Sequence, residues 1–96
     1  MSYGKDKPVR FYSEKGLIGI YYPDNRSTAF EVWRKIEEAY RQGDVSLTRY
    51  IAFKTFFASR RIIDSPTNEE IDRALSLNPV ALDKLLSDLF NESEKI

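Results

Sequence analysis

The chain has no cysteine and no histidine. Without cysteine there is no disulfide framework, no thiolate metal knuckle and no thiol nucleophile. Without histidine the commonest general acid or base is missing as well. Serine remains, but a serine nucleophile needs a base beside it, and only lysine or a carboxylate could serve. The four glycines, Gly4, Gly16, Gly19 and Gly43, are isolated, so no glycine-rich phosphate loop exists. No apolar run nears the roughly 18 residues of a membrane helix, and no apolar signal segment follows Met1. These absences lead us to expect a cytoplasmic, non-enzymatic protein with no membrane partner. We expect no catalytic residue, no cofactor-binding residue and no metal site, and nothing implies a small-molecule substrate.

Carboxylates are the remaining metal ligands, and their spacing argues against a site. Glu69 and Glu70 are adjacent, so on a helix they do not face each other; at most Glu69 and Asp72 share a face. Acidic residues near a helix start are explained more simply by the helix dipole.

What the chain does have is size for one core and many aromatic residues to fill it. Its 96 residues include six Phe, six Tyr and one Trp, a load that a disordered chain does not carry. We expect one domain over residues 1–96, with 1–7 and 91–96 as loose ends. Charge is balanced overall but divided along the chain. Residues 1–63 hold 12 Lys and Arg against 7 Asp and Glu, and residues 64–96 hold 3 against 8. A basic body with an acidic end fits self-association or an anionic partner, and equally two solvated faces.

Period and punctuation give the elements. Pro8–Tyr22 alternates like a β-hairpin around a Ser13–Gly16 turn, with Val9 and Phe11 on one face and Ile18, Ile20 and Tyr22 on one face of the return strand. Thr28-x-x-Glu31 has the form of a capping box and predicts a helix ending at Gly43. Phe30, Trp33, Ile36 and Tyr40 form its stripe, with Glu31/Lys35, Arg34/Glu38 and Glu37/Arg41 paired outside. A second helix over about Ser46–Ile63 is apolar nearly all round, which places it in the centre of the core or in a subunit interface. Thr67-x-x-Glu70 opens a short helix to about Leu75. Asn78-Pro79 opens the last helix, to about Phe90, with Leu82, Leu85, Leu86 and Leu89 inward. The fold class is therefore α+β: an N-terminal hairpin followed by four helices.

The segment Thr67–Leu89 resembles the helix-turn-helix of small transcription regulators. It has the Thr cap, the acidic pair Glu69-Glu70, apolar Ile71, Leu75-x-Leu77 through the turn, and Leu82, Leu86 and Leu89 in the second helix. The resemblance covers about a quarter of the chain. It implies a nucleic-acid-binding regulator whose last two helices form the motif, the second of them entering the major groove. The early exposed residues of that helix would be Pro79, Val80, Ala81, Asp83 and Lys84, of which only Lys84 is cationic. Affinity for phosphates must then come largely from elsewhere. The basic body offers Arg10, Lys15, Arg26, Arg49, Lys54, Arg60 and Arg61, with Tyr12, Tyr21 or Tyr22 for stacking. Arg49, Lys54, Arg60, Arg61 and Lys84 are the candidate nucleic-acid-binding residues. The competing expectation is a homo-oligomer or protein-interaction module, based on the greasy second helix, the lone hairpin and the charge division.

Overall fold

A computed structural model describes residues 7–93; expectations that fall on 1–6 and 94–96 lie outside them. Strand β1 (Val9–Ser13) pairs antiparallel with β2 (Gly16–Tyr21) around Glu14 and Lys15. Ser13 accepts from the Lys15 N–H, and Gly16 takes a φ of +134°, a conformation that side chains disfavour. Val9 and Phe11 are buried while Arg10 and Tyr12 are exposed, as the alternation requires.

The return strand does not follow the expected face. Tyr21 lies opposite Val9 and is buried; Tyr22 is exposed, and Ile18 and Ile20 are half-buried. The inward position opposite Phe11 belongs to Gly19, where a Cβ would stand 3.1 Å from Val32 Cγ2. The first helix packs too closely there for a side chain, so the pattern of large apolar residues misidentifies the face. Between Phe11 and Tyr12 the register slips by one residue, leaving Ile18 as the extra one. Such a bulge reverses the facing of the residues beyond it, and Tyr12 and Leu17 form an exposed cross-strand pair.

Helix α1 (Arg26–Arg41) begins before the expected Thr28 cap. Asn25 is the cap: its Oδ1 accepts from the Ser27 N–H and hydroxyl. The Thr28 hydroxyl accepts from the Tyr22 N–H at 2.9 Å and donates to the Asn25 carbonyl, so it ties the helix to β2 instead. The buried stripe is Ala29, Val32, Trp33 and Ile36, and Phe30 is exposed. The small residues Ala29 and Val32 face the hairpin because Gly19 brings it close. The outer face also pairs differently: Arg41 bonds Glu38 at 2.6 Å, and among the described residues no ion pair joins Glu31 to Lys35, Arg34 to Glu38 or Glu37 to Arg41. Gly43 ends the helix as expected. At φ +83° it donates to the Tyr40 carbonyl, and Asp44 donates to that of Ala39, a Schellman closure.

Helix α2 (Leu47–Ser59) is capped by Ser46 and lies in the centre of the core. Ile51, Ala52, Phe53, Phe56 and Phe57 are buried against the hairpin, α1 and the two later helices. It stops four residues short of the expected Ile63. Arg61 adopts φ +63°, its N–H bonds the Ala58 carbonyl, and the Ile62 N–H bonds that of Phe57. This is the same Schellman closure without the usual glycine, which is why the sequence conceals it.

Helix α3 (Asn68–Leu77) carries the expected capping box. Thr67 Oγ1 accepts from the Glu70 N–H at 3.1 Å, and Glu70 accepts from the Thr67 N–H at 2.8 Å. Asn78 alone joins it to α4 (Pro79–Ser93), donating back to Ala74 and accepting from the Ala81 N–H. Helix α4 continues through residues 91–93. Ala74, Leu82 and Leu89 are buried, and Leu85 and Leu86 pack beside them.

A left-handed arginine is strained by about 1 kcal/mol or more. Arg61→Gly is expected to stabilise the protein by about 0.5–1 kcal/mol, the larger freedom of glycine in the unfolded chain offsetting part of the relief. Urea denaturation reads this directly; a loss of stability would mean that the arginine side chain outweighs the backbone strain.

Candidate binding surfaces

The five candidate cations are held in different contacts and do not form one patch. Arg49 and Lys54 are five residues apart on α2, about 140° around the helix, and Arg60 is about 16 Å further along from Arg49. Arg49 donates to the Tyr12 carbonyl at 3.3 Å, and its Nε is buried without a hydrogen-bond partner. It lines a cavity of about 530 Å³ whose floor is Phe53, Leu85 and Leu89, with Asp88 on the rim. Lys54 is an inward lysine, its side chain only 20% exposed, and it pairs with Glu70 at 3.1 Å. That contact joins the basic body to the acidic third of the chain. Lys84 lies on exposed α4 and approaches Asp88 at 3.7 Å, one turn on. An exposed pair of this kind contributes little.

Arg60 and Arg61 sit together at the end of α2. The Arg60 guanidinium lies 5.0 Å from the Phe56 ring and 5.9 Å from that of Tyr21. Its Nε is buried, and the guanidinium makes no hydrogen bond to the described residues. Arg26, from the first turn of α1, donates to the Arg60 and Arg61 carbonyls at 3.4 and 3.3 Å. Two arginines far apart in sequence thus meet beside a second cavity, of about 510 Å³.

The shifted titrations have structural causes. Glu70 is held below its ordinary value by the Thr67 N–H and, after that, by Lys54. Glu38 is lowered by its bond to Arg41. The Tyr50 phenol is pushed up by burial and by Glu37 and Glu70 nearby; its ring stacks on Trp33 and Tyr40. Among the described residues no group of three acidic side chains stands close enough to hold a metal ion, and no helix is long and apolar enough to cross a membrane.

One surface is not apparent from the sequence. Leu75, Leu77 and Val80 flank the Asn78 junction and are 43%, 65% and 75% exposed. The helix-turn-helix resemblance would use Leu75 and Leu77 as turn packing, which hides them from suspicion. The one-residue junction is also shorter than the three or four residues of that motif's turn. No protein-family model, no curated protein and no solved structure matches this chain.

Glu70 gives a pH test. Its folded-state value is depressed from 4.5, so its contribution is full above that value and is lost as pH falls through the lowered one. The stability difference between wild type and Glu70→Gln is expected to be greatest near neutral pH and to shrink in acid. A difference that does not change with pH would show that the carboxylate charge does not hold α3.

Proposed function

We propose that this chain is a non-enzymatic interaction module whose partner is a second copy of itself. The observation that carries the reading is the exposure of Leu75, Leu77 and Val80 around the α3–α4 junction in the acidic third. A contiguous exposed apolar patch, unlike apolar residues scattered singly, marks an interaction surface. The charge division supplies complementarity: residues 64–96 are acidic and residues 1–63 are basic. In a twofold pair each copy lays its acidic corner on the other's basic body, so the complementary contact is made twice. Arg34 and Lys35 are exposed on α1, cations of the kind such a contact would use.

Nucleic-acid binding of the helix-turn-helix kind is the rival. It draws support from the capped α3–α4 pair. Against it, the exposed start of α4 offers Pro79, Val80 and Asp83, and its cation, Lys84, lies near Asp88. Phosphate-driven affinity needs the opposite charge balance.

Sedimentation equilibrium separates the two. Wild type is expected to associate as concentration rises and to dissociate partly in high salt. The double variant Leu77→Asp, Val80→Asp is expected to remain monomeric, with the melting temperature of wild type diluted to monomer, because both side chains are exposed. A wild type monomeric at every concentration overturns the proposal. Salt-sensitive binding of duplex DNA by that monomer would move the assignment to the rival.

A further inference from the structure

The cavity beside Arg26 and Arg60 has the composition of an anion site. Its walls include Tyr21, Pro23, Arg26, Ser59, Arg60 and Phe90, and no carboxylate stands among the described residues that line it. Neither arginine forms an ion pair with a described residue. Arg26 commits two of its five N–H donors to the carbonyls at the end of α2, which fixes its plane and leaves three. Arg60 commits none to the described residues, and Phe56 and Tyr21 under its guanidinium fix that plane as well. Two cations held this way in a concavity keep a charge that no described residue neutralises. A planar guanidinium matches the oxygens of a phosphate or carboxylate in pairs. Phe90 and Pro23 supply an apolar wall, and Phe90 is braced by Phe56 at 5.2 Å between ring centres.

We propose that this cavity binds a small organic anion: a phosphate or carboxylate at Arg26 and Arg60, carried on a flat apolar group that lies against Phe90. The site uses none of the residues of the α3–α4 corner, so it stands or falls independently of self-association.

Titration of the full chain at low salt with inorganic phosphate, phenyl phosphate and benzoate, followed by NMR, tests this. Shifts are expected at the Phe90 ring and the Arg60 Nε–H. Phenyl phosphate is expected to bind about three- to tenfold more tightly than inorganic phosphate, the usual worth of a ring contact. Comparison of phenyl phosphate with benzoate identifies which anion the arginines prefer. Phe90→Ala should remove the advantage of the ring and leave inorganic phosphate unchanged. Arg60→Gln should weaken all three ligands by about tenfold or more. Arg60 also covers Phe56, so the Phe90→Ala comparison carries the test if Arg60→Gln unfolds. The proposal is overturned if none of the three anions perturbs Arg26, Arg60 or Phe90. It is equally overturned if their shifts scatter over cations elsewhere, or if phenyl phosphate binds no better than inorganic phosphate.

Discussion

The ring of Phe11 sits among three phenylalanines of α2. Its centroid is 4.9 Å from that of Phe57, 5.1 Å from Phe53 and 5.7 Å from Phe56. A two-stranded hairpin in water is marginal, and this one is held because Phe11 and Val9 are driven into a helix that is apolar on nearly every side. The same contact explains α2. Its phenylalanines meet the hairpin on one side, Trp33 on another and Phe90 on a third. A helix with three packed neighbours cannot keep a wide polar face, so Lys54 extends to Glu70 rather than to solvent. Alternation after Phe11 turns the Tyr12 side chain outward, and the Tyr12 carbonyl accepts from Arg49 at the start of α2.

The other end of α2 is closed by geometry rather than by composition. Arg61 enters the left-handed region, Ile62 folds back into the core, and Arg26 reaches across from α1 to two carbonyls that the closure exposes. Thr28 at the same corner ties β2 to α1 through Tyr22. The end of the hairpin, the start of α1 and the end of α2 are thereby fastened at one place. Both arginines of the anion cavity are fixed by these structural bonds and contacts, so an anion would meet groups already oriented and incur little ordering cost.

Several elements were legible because their signals are local. The hairpin, four helices, the Thr67–Glu70 box and the Asn78 cap each depend on residues within a turn of one another. The errors have a common physical source: a neighbour distant in sequence claimed the group that the local pattern had assigned. Tyr22 took the Thr28 hydroxyl, so the cap moved to Asn25. Val32 took the space above Gly19, so Tyr21 and not Tyr22 faces inward. Glu70 took Lys54, and aromatic faces took Arg60. Arg60 stands among the candidate cations read from the sequence, whereas nothing local pairs it with Arg26. The exposure of Leu75 and Leu77 is hidden for a related reason: spacing shows that they are apolar, not whether another helix arrives to cover them.

The exposed apolar residues at the α3–α4 junction follow from how little α3 buries. Its only fully buried residue among those described is Ala74, while α4 buries Leu82 and Leu89. An alanine contributes far less burial than a leucine or phenylalanine. Helix α3 is therefore held chiefly by its capping box, by Ile71 at half burial and by the Glu70–Lys54 bridge. Two of these are polar contacts made by one carboxylate. A helix fixed at its N-terminal turn by Glu70 has little need of its C-terminal turn for the fold, and that turn carries exposed Leu75 and Leu77. Apolar residues that the monomer's own packing does not require are those that a second surface can use without cost to the first. The exposure at the junction and the reliance of α3 on Glu70 are two sides of the same division of roles within one ten-residue helix.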